Sequence, residues 1–371
     1  MMPKVDSIKN NGDILTFTLS NTNVSLANAL RRTIISDIPS IVFRTAPYDQ
    51  SKAKIDVNTT RLNNEILKQR LSCIPIHMQT LKNDTPYKNY QLEIDVKNET
   101  DATIYVTTKD FVVRDKQANQ IVSGTELFPP NDKGQYIDFV RLRPKISDEI
   151  PGEHLKLTCD FDLGTAKESG MFSQVSTCAY GNTPDKQAAD QALAKKVVDW
   201  KTKPNVDIDF ESKNWLLLDG LRYFVPDSYD FTIQTIGVYT NIELVRVGCD
   251  VLIKRLQELG EFEIKPADNT LKNSYDVILK DDDYTIGKTL EWFLYSKYFL
   301  SVSENDRKGV KENGLLTYCG FKKFHPHDHD STIRVAYKDP VVVATIQEHL
   351  ANCIDDAVKT FAAIKKEFKD K

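Results

Sequence analysis

Leu15-Thr16-Phe17-Thr18-Leu19 alternates apolar and polar residues, the two-residue period of a half-buried strand. Ser20-Asn21-Thr22-Asn23 reads as a turn, and Ser25 is placed to cap a helix through Leu26–Asp37. Along that helix Leu26, Leu30 and Ile34 fall four apart and share a face. Ile38-Pro39 ends it, because the residue before proline disfavours helical backbone. Residues 15–34 superpose without a gap on residues 275–294. Phe17 meets Val277, Leu19 meets Leu279, and Asn21-Thr22-Asn23 meets Asp281-Asp282-Asp283. Ser25 meets Thr285, Leu26 meets Ile286, Leu30 meets Leu290, and Ile34 meets Leu294. The two segments read as copies of one strand–turn–helix unit.

The parallel extends further along each half. Phe231–Thr235 is a strand, and the helix Asn241–Leu259 carries Ile242, Val245, Cys249, Leu252, Leu256 and Leu259 as a heptad-like seam. Ser331–Val335 is the matching strand. The helix from about Pro340 carries Leu350, Ile354, Ala357, Phe361, Ile364 and Phe368. A stripe that narrow on a long helix needs another helix over it. The equivalent helix of the other half is the simplest cover, and the helix's own sheet is the alternative.

Residues 47–225 interrupt the first half and read as β-rich, from YQLEIDV, TIYVTT, FVV and HLKLTCDFDL. A helical stretch lies near Pro184–Trp200, and Pro204 interrupts it. The expected division is therefore α+β. A discontinuous domain of 1–46 and 226–262 holds an inserted β-rich domain of 47–225, and a linker of 263–273 leads to a small domain of 274–371.

Composition adds mainly exclusions. The chain has 371 residues, 40% hydrophobic and 27% charged, with a net charge of −4. That is ordinary for a soluble globular protein and gives no basic field to hold nucleic acid by charge alone. The first residues lack a signal-peptide pattern, and no apolar run reaches membrane-span length. Cys73, Cys159, Cys178, Cys249, Cys319 and Cys353 are scattered without a C-x-x-C pair, as in reduced intracellular chains.

Two clusters invite chemistry. His325-Pro326-His327-Asp328-His329 could present imidazoles and a carboxylate to a metal, the basis of an alternative reading as a metal-dependent enzyme. A polar loop is the plainer reading, because Pro326 breaks strand geometry and a site needs further convergent ligands. Asp281-Asp282-Asp283 resembles a magnesium-binding triplet, yet its place before a helix favours capping. No nucleophile elbow, Walker loop or dinucleotide fingerprint is present, so no catalytic residue is assigned.

VSLANALRRTIISDIPSIVF followed by NNEILKQRLSCIPI resembles the alpha-type subunits of multisubunit RNA polymerases, whose L-A-N-x-L-R-R helix leads to I-P and whose later helix carries R-L-x-x-I-P. DATIYVTTKDFVV is similar to that family's V-T-S-x-D-L stretch, and Lys167-Glu168 with SGMFSQVSTCAY matches A-K-E-H-A-K-W-S-P loosely. Asp283-Tyr284-Thr285-Ile286-Gly287-Lys288-Thr289-Leu290, Tyr318-Cys319-Gly320-Phe321 and His325-Pro326 resemble the small partner subunit, archaeal L or the eleventh subunit of RNA polymerase II.

The resemblance implies a non-catalytic assembly subunit that joins both partners in one chain, as large nucleocytoplasmic DNA viruses encode. Leu26, Leu30, Ile34, Val245, Leu252, Leu256, Ile286, Leu290, Leu350, Ile354 and Phe361 would form the pairing core. Asn28, Arg31, Arg32 and Arg70 would face partners, which are the two largest polymerase subunits and other subunits of the complex. DNA would be met only through the complex, with no membrane and no self-dimer. No cofactor or metal is expected, because Cys73, Cys159 and Cys178 lack ligand spacing. Infected-cell cytoplasm and the virion are the implied locations, or the nucleus if the chain is cellular. An interaction protein using this fold outside a polymerase is the remaining alternative.

Overall fold

The computed structural model describes residues 2–79, 87–122, 124–147, 149–299 and 314–368. The first elements are β1 (Lys4–Asn11), β2 (Ile14–Ser20), α1 (Val24–Ser36), β3 (Ser40–Phe43), β4 (Ala53–Asn58), α2 (Asn64–Ser72) and β5 (Tyr90–Lys97). Next come β6 (Ile104–Thr107), β7 (Val112–Asp115), β8 (Gln120–Val122), α3 (Gly124–Leu127), β9 (Asp138–Leu142), β10 (His154–Gly164) and β11 (Val175–Pro184). The helices α4 (Lys186–Lys201) and α5 (Ile208–Leu217) lead to β12 (Phe224–Thr235) and α6 (Asn241–Glu258). The last elements are β13 (Glu263–Pro266), β14 (Ser274–Leu279), α7 (Tyr284–Tyr298), β15 (Leu316–Lys322), β16 (Ser331–Tyr337) and α8 (Val343–Glu367). Among the described residues no helix is long and apolar enough to cross a membrane.

The contacts divide the chain into two units. One comprises Met1–Thr33, Thr177–Gln234 and Gly248–Lys371, and the other Ile34–Ser176 and Thr235–Val247.

The first unit holds two four-stranded sheets, β1-β2-β12-β11 and β13-β14-β16-β15. Their orders correspond strand for strand. In both, the strand before the short helix pairs antiparallel with the strand before the long helix. In β2, Leu15, Phe17 and Leu19 point one way and are buried, as the alternation predicts. They stand opposite Ile233, Phe231 and Tyr229 of β12. The rings of Phe17 and Phe231 stack at 4.9 Å, and Phe368, just past the end of α8, meets Phe17 edge-on at 4.9 Å. Lys365 of α8 also pairs with Asp250 of α6 at 2.6 Å. The C-terminal end of α8 therefore reaches both the sheet and the long helix of the first half.

The second unit is built on the sheet β3-β10-β5-β7-β8, with β4 also pairing β10 and a separate ribbon of β6 and β9. Its core gathers Ile41 and Phe43 of β3, Leu67 and Leu71 of α2, Leu92 and Ile94 of β5, and Leu155, Leu157, Cys159 and Phe161 of β10.

Several expectations need correction. Asn23, not Ser25, caps α1: its side-chain oxygen accepts the Ser25 N–H at 2.9 Å and its carbonyl accepts the Leu26 N–H at 3.1 Å. Asparagine suits the role because its side-chain oxygen can accept an N–H of the first helical turn, and the chain enters the helix two residues earlier than Ser25 would allow. In α8 the buried stripe passes through Cys353, one position before Ile354, which is only half-buried. Residues 263–273 are not wholly a linker, since Glu263–Pro266 pairs with β14 as an edge strand. The expected insertion of 47–225 is too long at one end and too short at the other. β11 pairs with β12, and 177–225 falls in the first unit, whereas β3 pairs with β10, so 40–43 falls in the second. The edge strand β1 carries mostly exposed side chains, so no alternation marked it.

Replacing Asn23 by alanine is expected to cost about 1 kcal/mol of unfolding free energy in urea, and Ser25→Ala less than about 0.5 kcal/mol. The reverse order would return the cap to Ser25.

Candidate functional site

The two repeated turns are alike in detail. Asn21 and Asp281 occupy equivalent places and both have left-handed backbone, φ 56° and 52°. Asp283 caps α7 as Asn23 caps α1, accepting the Thr285 N–H at 3.1 Å. A carboxylate there also answers the positive end of the helix dipole.

What surrounds the second turn is unlike the first. Arg32, in the last part of α1, donates from Nε to Thr285 Oγ1 at 2.9 Å and from Nη2 to Asp283 Oδ2 at 3.0 Å. Arg255, in the last turn of α6, pairs with Asp282, whose side chain is almost out of water at 7% exposure. The Ser331 hydroxyl donates to the Asp282 carbonyl at 2.8 Å. Two cations from the first half thus converge on two carboxylates at the start of α7.

Arg32 was expected on an outside surface, since it lies off the Leu26–Leu30 face. Its donors are instead engaged within the chain, because that side of α1 meets the start of α7. Arg31 donates to Asn28 Oδ1 at 3.0 Å, and both are half-buried on α1. Arg70, on α2 in the second unit, stays exposed while donating to the Phe139 and Asp138 carbonyls at 2.7 and 2.9 Å. It borders a cavity of about 310 Å³ with Gln69, Cys73, Ile74 and Ile137. Of the expected pairing residues, Leu26, Leu30, Ile34, Val245, Leu252, Leu256, Ile286, Leu290, Leu350 and Phe361 are buried.

In the histidine cluster, the His325 N–H donates to Asp328 Oδ2 at 2.8 Å and the His327 N–H to His325 Nδ1 at 3.2 Å. These bonds fold the segment into a loop. Among the described residues no three His, Cys, Asp or Glu side chains form a group able to hold a metal ion.

An exposed apolar surface went unnoticed in the sequence. Phe210, Leu217 and Leu218 of the α5 segment and the nearby Leu221 all present more than half their surface to solvent. The run Trp215-Leu216-Leu217-Leu218 was the available signal, but a run of that kind reads equally well as core.

The RNA polymerase Rpb3/Rpb11 dimerisation domain family matches residues 16–256, from β2 through nearly all of α6. The chain belongs to that family. This Rpb3/Rpb11-type chain is similar to DNA-directed RNA polymerases IV and V subunit 3B of Arabidopsis thaliana, at 26% identity over 305 residues, covering 70% of this chain and 89% of the relative. It is also similar to DNA-directed RNA polymerase II subunit RPB3 of Schizosaccharomyces pombe, at 23% over 270 residues, covering 66% and 81%. Subunit Rpo3 of Pyrococcus horikoshii matches at 23% over 279 residues, covering 68% and 95%.

The thiols of this Rpb3/Rpb11-type chain divide by burial. Burial pushes Cys178 and Cys353 up to about 12 and raises Cys159, Cys249 and Cys319 as well, while Cys73 is exposed. At pH 8 a thiol titrating near 12 is thiolate in only about one molecule in ten thousand. Iodoacetamide at pH 8 is therefore expected to alkylate Cys73 before the other five, of which the buried Cys159, Cys178, Cys249 and Cys353 react only on unfolding. Peptide mass spectrometry reads the order, and early modification of Cys178 would contradict the burial.

Proposed function

We propose that this chain is a non-catalytic assembly subunit of a DNA-directed RNA polymerase, with an Rpb3-like first half and an Rpb11-like second half pairing within one chain. The observation that carries the reading is the correspondence of the two sheets, β1-β2-β12-β11 and β13-β14-β16-β15, inside one unit of a chain of the Rpb3/Rpb11 family. Relatives named as polymerase subunits support the polymerase setting. The paired halves would form the platform on which the two largest subunits assemble, and chemistry would reside on those partners. The exposed apolar residues of α5 fit a surface that another subunit covers.

Joining the halves has a simple physical advantage. A short tether turns a bimolecular pairing into an intramolecular one at an effective concentration of roughly millimolar. A single chain that needs no separate partner to complete the pair fits a viral polymerase working in infected-cell cytoplasm.

The chain is expected to run as a monomer by light scattering, and a tagged copy expressed in its native source to recover the two largest polymerase subunits. Loss of both recoveries from a folded, tagged chain would sink the polymerase reading. Leu217→Asp with Leu221→Asp is expected to leave the unfolding midpoint nearly unchanged, since both are exposed, yet to lower the recovery of at least one other subunit severalfold. Quantitative mass spectrometry of the purified complex checks this.

A further inference from the structure

The two halves can be compared position by position. The repeat pairs Thr22 with Asp282, Asn23 with Asp283 and Arg32 with Trp292. In the long helices the buried residues Val245, Cys249, Leu252 and Leu256 fall in step with Ile346, Leu350, Cys353 and Ala357, which pairs Arg255 with Asp356. At the same four places the first half thus carries Thr22, Asn23, Arg32 and Arg255, two cations and no carboxylate. The second half carries Asp282, Asp283, Trp292 and Asp356, three carboxylates and no cation.

We infer that these four positions are a recognition code by which the first half selects the second half of the chain and rejects a copy of itself. This rests on the proposal that the halves pair within one chain. The unlike charges do meet: Arg255 pairs with Asp282, and Arg32 with Asp283 and Thr285. The counterparts on the other side are arranged so that no charge is stranded. Asp356 is engaged by Lys297 at 2.8 Å, and the Thr22 hydroxyl is buried without a hydrogen-bond partner among the described residues.

Pairing of like halves in the same geometry fails electrostatically. Two first halves would set Arg255 against Thr22 and Arg32 against Asn23, replacing the carboxylates of Asp282 and Asp283 by neutral groups beside two partly buried guanidiniums. Two second halves would set Asp356, already held by Lys297 of its own half, against Asp282, so that the nearly buried Asp282 would meet another carboxylate in place of Arg255. Only the unlike pair sets both Arg255 against Asp282 and Arg32 against Asp283. The repulsive alternatives matter as much as the attraction, because specificity is a difference between affinities. The apolar seam cannot supply that difference, since both halves bury similar aliphatic residues.

The test is a double-mutant cycle on the isolated full-length chain: Arg255→Asp, Asp282→Arg and the two together, followed by urea unfolding and light scattering. Each single reversal is expected to raise the unfolding equilibrium constant at least about a hundredfold and to produce dimers at micromolar concentration. The exchanged pair is expected to recover at least about tenfold of the combined loss and to return to monomer. Arg334→Asp, which breaks a pair with Asp276 inside the second sheet at 2.6 Å, serves as control and is expected to destabilise without producing dimers. The idea is overturned if the single reversals change neither stability nor oligomeric state, if the exchange recovers nothing, or if the control dimerises equally. Should a single reversal fail to fold, Arg255→Gln and Asp282→Asn enter the same cycle, and additivity there overturns it. No polymerase partner takes part, so a coupled cycle in a chain that recovers no large subunit keeps this inference and removes only the polymerase reading.

Discussion

Each half of the first unit makes a sheet with one apolar face and a long helix with one apolar stripe, and neither can leave that surface in water. The contact through Phe17 shows how the requirement is met. Its ring is stacked on Phe231 from the neighbouring strand and capped edge-on by Phe368 from the far end of the chain. Burying an aromatic side chain of this kind contributes on the order of 2–3 kcal/mol. More important is what it joins, because residues more than three hundred positions apart become one core.

The polar contacts act on top of that apolar layer and do different work. Arg255 and Asp282 give up hydration when they pair, so the pair adds little net stability over a well-packed apolar contact. Its proposed effect is to penalise wrong arrangements. Lys365 with Asp250 is more exposed and contributes less to such discrimination. An assembly subunit benefits from this division. In the proposed pairing, apolar burial would supply strength and charge placement uniqueness, while leucines such as Leu217 stay exposed.

Much of the first unit was legible in the chain. The alternation at 15–19 located β2, the repeat at 275–294 located β14 and α7, and the stripes of α6 and α8 were read within a residue or two. Reading failed where local pattern carries no signal. β1 has no buried alternation to betray it, and β13 is four residues on a sheet edge. The boundary of the insertion was misplaced because β11 looks like any strand of the β-rich stretch until its pairing with β12 is known. Asn23 and Ser25 are both good caps, and backbone entry into the helix chose between them.

The sequence by itself determined the two copies of the strand–turn–helix unit, the faces that had to be buried and the family to which the chain belongs. These follow from local periodicity and motif, which survive in the order of residues. Only the tertiary structure decided which partner each polar group finds. Arg32 looked like a surface residue because its own helix turns it away from its own sheet, and the start of α7 turned out to meet it there. Such pairings join residues some 250 positions apart, and no local rule of spacing encodes them.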